Sequence, residues 1–74
     1  MKVFELTATQ ANAVRKALKL LRLQYWKFTI EPHPMKKSLM RVVFNIRGRP
    51  SFEESGREWN QINQILGAKS NVRH

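Results

Sequence analysis

The run Tyr25-Trp26-Lys27-Phe28-Thr29-Ile30-Glu31 changes character at every step. A period of two puts Trp26, Phe28 and Ile30 on one face of an extended chain and Tyr25, Lys27, Thr29 and Glu31 on the other, the pattern of a strand with one buried side. Pro32-His33-Pro34 closes the run, because proline cannot donate to a sheet ladder. A second β-rich run follows over 39–47, with Met40, Val42, Phe44 and Ile46 of one parity and Leu39, Arg41, Val43, Asn45 and Arg47 of the other. The two runs predict an antiparallel hairpin whose loop, about seven residues long, is expected to protrude. Any fold open to this chain must lay an apolar layer against the even-numbered face of that hairpin.

Two amphipathic segments can supply it. Thr7-Ala8-Thr9-Gln10 offers Thr7 as a helix cap with Gln10 as its reciprocal partner, and predicts a helix from 8 or 9 to 23. Its apolar arc holds Ala13, Val14, Ala17, Leu18, Leu20 and Leu21; Asn12, Arg15, Lys16, Lys19 and Arg22 take the opposite arc. Ser51 and Glu54 form a second capping pair, predicting a helix over 52–66 with Phe52, Trp59, Ile62, Ile65 and Leu66 on its apolar side and Gly67 as its stop. With the short apolar run at 2–6 as a first strand, the order is β-α-β-β-α. Both helices must lie on one face of a three-stranded sheet, giving a two-layer α+β sandwich. The third strand is the most continuously apolar and is expected at the centre, in spatial order 1-3-2. This arrangement resembles an abbreviated, open ferredoxin-like fold without its last strand. Residues 1–67 are expected to form one domain, and 68–74 a mobile basic tail.

The 74-residue chain contains no cysteine, so disulfides and thiolate metal sites are excluded and packing alone must hold the fold. That suits a reducing compartment. The first residues lack the apolar stretch of a signal peptide and nothing is long enough to span a bilayer, so a cytoplasmic location is expected. Lys and Arg number 14 against five acidic residues, a formal charge of +9, and no aspartate is present. Such an imbalance points to an anionic macromolecule as partner, with nucleic acid favoured over an acidic protein.

Two basic surfaces compete to meet that partner. Residues 51–66 carry Glu53, Glu54 and Glu58 against Arg57, so the second helix is the acidic element. Helix one presents Arg15, Lys16, Lys19 and Arg22 with no acid among them. The outward sheet face and its rims present Lys27, Arg41 and Arg47, with Lys36 and Lys37 in the loop and Arg49 after the third strand. Tyr25 shares the outward parity; set beside Asn45 or Arg47, its ring could stack an unpaired base. The sheet face is preferred for its cations, its loop and this ring. The two surfaces are expected to point in opposite directions, beyond the joint reach of one short strand. Alternatively, the same charges dock an inhibitor or adaptor on an acidic patch of a larger protein. No residue set suggests an enzyme, a metal or a cofactor: His33 is confined between prolines and His74 ends the chain. A homodimer through a sheet edge is also open.

Overall fold

The computed structural model describes residues 1–70, in the order β1 (Lys2–Thr7), α1 (Ala8–Leu21), β2 (Trp26–Pro32), β3 (Leu39–Ile46) and α2 (Phe52–Ser70). β3 lies between β1 and β2 and runs antiparallel to both, which confirms the order 1-3-2 and leaves β1 and β2 as the sheet edges. Phe4, Val42 and Ile30 stand in one cross-strand row, and Leu6, Met40 and Pro32 in another. These rows face the helices. Val14 and Leu18 of α1 and Ile62 and Leu66 of α2 join Leu6, Trp26, Val42 and Phe44 in a single buried cluster, so both helices cover the same side of the sheet.

Phe44 is the hub of that cluster. Fully buried, it meets Phe4 edge-on at 5.9 Å between ring centroids and Trp59 edge-on at 5.3 Å, while Trp59 also lies 4.8 Å from Trp26. Edge-to-face pairs place the positive rim of one ring against the negative face of another and add about 0.5–1.5 kcal/mol each to the area they bury. Lys2, which pairs across to Phe44, holds its ammonium 5.1 Å from the Trp59 ring centroid and closes the cluster at that end.

Both helix starts form as the sequence implies. The Gln10 N–H donates to Thr7 Oγ1 at 3.2 Å and the Thr7 N–H to Gln10 Oε1 at 3.1 Å; Ser51 and Glu54 repeat the reciprocal pair at 3.1 Å in each direction. The helix ends differ from expectation. α1 stops at Leu21, and Arg22 caps it in the left-handed region at φ 54°. α2 does not end at 66 but runs through Gly67 to Ser70. Gly67 keeps a negative φ, since only Gly48 among the described glycines has a positive one. A helical glycine costs about 1 kcal/mol relative to alanine, too little to break a helix when neither proline nor a left-handed turn follows. The tail expected over 68–74 therefore begins in helix, and residues 71–74 lie outside the described residues.

Three large side chains expected on apolar faces are exposed instead: Ile46 at 50%, at the end of β3, Leu20 at 84% and Phe52 at 93%. Leu20 stands at the margin of its helical arc, and the core takes the Ala11 side of α1. Phe52 is the first residue of α2, and its exposure sets that turn beyond the edge of the packed core.

Candidate nucleic-acid interface

The outward sheet face is less positive than its arginines and lysines suggest. Across it run Glu5, Arg41 and Glu31 in register, two carboxylates flanking the central guanidinium, with Arg41 Nε 3.5 Å from Glu31 Oε1. The hairpin loop is exposed over residues 34–38, and its side chains reach back to the sheet. His33 Nδ1 accepts the N–H groups of Met35 at 3.0 Å and Lys36 at 2.9 Å, winding the chain around the imidazole, while the His33 N–H donates to the Leu39 carbonyl at 3.1 Å. This turn carries the loop back across the end of β3 to β1. There Lys36 Nζ sits 3.3 Å from Glu5 Oε2, and His33 Nε2 lies 3.6 Å from the other carboxylate oxygen. Because Nδ1 accepts two hydrogen bonds, the neutral ring bears its proton on Nε2, facing Glu5. Lys36 and Arg41 thus each face a carboxylate; Lys37 makes no ion pair among the described residues. Exposed pairs of this kind contribute little to stability, because solvent screens them. They reduce the positive field at this end of the sheet without fixing the side chains.

Tyr25 does not lie on the outward face. It precedes β2, where sheet parity no longer governs, and turns toward α2: its hydroxyl donates to Glu54 Oε2 at 2.6 Å and its ring packs against the core. The cause is Glu58. Its carboxylate accepts three consecutive backbone N–H groups, Gln24 at 2.9 Å, Tyr25 at 2.9 Å and Trp26 at 2.8 Å, and so folds the connector onto α2. The Trp26 indole adds a bond to the Ser55 carbonyl at 2.9 Å.

These contacts shift two titrations. The Tyr25 hydroxyl, with help from the Ser51 N–H and hydroxyl, holds the Glu54 carboxyl below its ordinary 4.5, and Glu54 in turn pushes Tyr25 above its ordinary 10.0. Glu5 is likewise lowered, first by its hydrogen bond from Lys36. A depressed carboxylate contributes stability that is complete above its unfolded-state value and lost as pH falls through its folded-state value. The raised Tyr25 contributes stability that is complete below about 10 and lost as pH rises through its folded value. Thermal melts should therefore weaken on both flanks, below about pH 4.5 and above about pH 10. Tyr25→Phe should flatten both, because it removes the alkaline titration and the bond that lowers Glu54. Unchanged flanks in Tyr25→Phe would rule out this pair as their source.

At the opposite end of the sheet the two basic surfaces meet, contrary to the expectation that they point apart. A groove of about 230 Å³ lies between the last turn of α1 and the start of β2. Its lining combines Leu18, Leu23, Trp26 and Phe28 with Lys19 and Arg22 from α1, Lys27 from β2 and Arg47 from the end of β3. Among the described residues, no carboxylate lines it. The convergence follows from connectivity: four residues after Arg22 the chain enters β2, and antiparallel pairing sets Ile46, just before Arg47, opposite Trp26. The carboxylates of Glu54 and Glu58 are committed to Tyr25 and its neighbours. Arg15 stands further along the same seam, in a second groove of about 250 Å³ with Ile30 and Met40, and Lys16 is exposed. Asn45 is half-buried opposite Lys27, and Arg49 is exposed beyond the sheet.

Sequence reasoning did not single out Glu5, and it placed Phe52 on the buried side of α2. The alternation of β1 could have shown that Glu5 faces outward with Val3. No pattern shows that Phe52 is bare, because on a helical wheel it aligns with Trp59 and Leu66. Among the described residues no cluster could hold a metal ion, and no helix is long and apolar enough to cross a membrane. Comparisons of the chain with family models, with curated proteins and with solved structures find no match.

Proposed function

We propose that this protein is a small non-enzymatic regulator that binds single-stranded nucleic acid, RNA or DNA, in the cytoplasm. The observation that carries the reading is the seam where Lys19 and Arg22 share a groove with Lys27 and Arg47, with no carboxylate in its lining among the described residues. From it, cations continue along α1 to Lys16 and Arg15, and over the sheet toward Arg49, Arg41 and the Lys36–Lys37 loop. A path that passes from a sheet face around an edge strand onto a helix suits a flexible strand. Duplex DNA, with a persistence length of about 150 base pairs, would have to be sharply bent to follow it, at a cost of about 1–6 kcal/mol that a single strand does not incur. The absence of cysteine supports the reducing location.

The same cations would serve an inhibitor or adaptor that docks on an acidic protein surface, and salt dependence separates the two. Neutralising about five phosphates of a single strand gives a slope near −3.5 in log affinity against log salt. Titrating a fluorescent uridine or thymidine oligonucleotide at several salt concentrations should return that slope. No association at about 50 mM salt, where screening is weak, would refute nucleic-acid binding and leave the adaptor reading.

A further inference from the structure

We infer that the groove between α1 and β2 seats a single nucleotide of the bound strand, its base against Phe28, Leu23 and Trp26 and its phosphate at Lys27 and Arg47. This rests on the nucleic-acid reading above and adds where the strand is gripped. Three properties of the groove carry it. The first is size: about 230 Å³ falls below the range of about 300–1,000 Å³ typical of pockets for whole drug-sized ligands, which leaves room for one base and not for two. The second is polarity. Trp26 is buried and Phe28 and Leu23 are half-buried, so the exposed lining sets their apolar edges among polar groups in nearly equal share, and it is on those edges that an unpaired base packs. The third is charge, because cationic residues of three separate elements contribute to the lining and, among the described residues, no carboxylate does.

The cations divide into two roles. Lys19 lies in the last turn of α1 and Arg22 is its cap, so both also face the negative end of the helix dipole. Lys27 and Arg47 have no such duty. Both are exposed, neither side chain has an ion pair among the described residues, and the bond that ties residue 47 to Tyr25 uses the backbone N–H. They are therefore the positions at which to remove charge without touching the fold.

The test compares Lys27→Gln/Arg47→Gln with Lys36→Gln/Lys37→Gln, an equal loss of charge at the far end of the sheet. Probes are a decauridylate, uridine monophosphate and inorganic phosphate, read by intrinsic tryptophan fluorescence, since Trp26 lines the groove. The monophosphate should change the wild-type emission and compete with the decamer. The Lys27/Arg47 pair should abolish that response and weaken decamer binding about tenfold more than the Lys36/Lys37 pair does. Equal losses from the two pairs, with no response to the monophosphate, would overturn the groove assignment while nucleic-acid binding stood. Inorganic phosphate competing as well as the monophosphate would also overturn it, since the base would then contribute nothing. Failure of the wild-type decamer to bind would remove the underlying reading itself.

Discussion

Phe44→Ala should leave the chain largely unfolded at 25 °C. The ring is fully buried on the central strand, and it meets Phe4 of β1, Phe28 of β2 and Trp59 of α2. Truncating such a residue removes its transfer free energy and opens a cavity that three separate elements would have to collapse together to fill, a loss of about 3–5 kcal/mol. A domain of this size has little more than that to lose, about 3–5 kcal/mol from its core. Far-UV circular dichroism with a thermal melt would decide it: the variant should show no cooperative transition. A cooperative melt near the wild-type midpoint would mean that Phe44 is not the hub. Phe44→Leu, which keeps most of the apolar volume but loses the edge-on aromatic contacts, should remain folded with a lowered midpoint.

The second large effect is expected at a charged residue. Glu58→Ala would leave the N–H groups of Gln24, Tyr25 and Trp26 without their shared acceptor, two of them in partly buried surroundings. An unpaired buried donor costs about 1–3 kcal/mol, so a total near 3 kcal/mol follows once the exposed Gln24 group turns to water. Glu58→Gln should fall between, because its one remaining oxygen can accept while its amide group points a donor at a donor. Urea denaturation would give the energies, and hydrogen exchange at Tyr25 and Trp26 would show whether the loss is local to the connector. A loss below about 0.5 kcal/mol for Glu58→Ala would mean that water replaces the carboxylate freely.

Glu58 also explains where reading the sequence stops. The face carrying Trp26, Phe28, Val42 and Phe44, both helix caps and the central place of β3 are local patterns, visible within a few neighbouring residues. Tyr25 looked like the next member of an alternating strand because nothing near it indicates otherwise. Its orientation is set from α2, by Glu54 and Glu58, across the length of the hairpin. His33 presents the same difficulty at the other end: its neighbours mark a turn, but only its two backbone bonds draw the loop back over β3 to Glu5. The groove lies between these cases. Its four cations are plain in the sequence, and their meeting follows from combining a short connector with an antiparallel hairpin. Assigning them to a helix face and a sheet face as separate surfaces concealed the seam between the two.

The strand order has a consequence for how the chain is made. β2 and β3 are neighbours in sequence and can close as a hairpin on their own, whereas β1 pairs only with β3 and must wait until α1, β2 and the loop have all followed it out of the ribosome. During that interval Val3, Phe4 and Leu6 have no native strand beside them, and such unpaired apolar segments are what a nascent chain offers to chaperones and to other exposed edges. The first strand to be synthesised is thus the last to find its ladder, and the hairpin that it joins is the template on which it is finally placed.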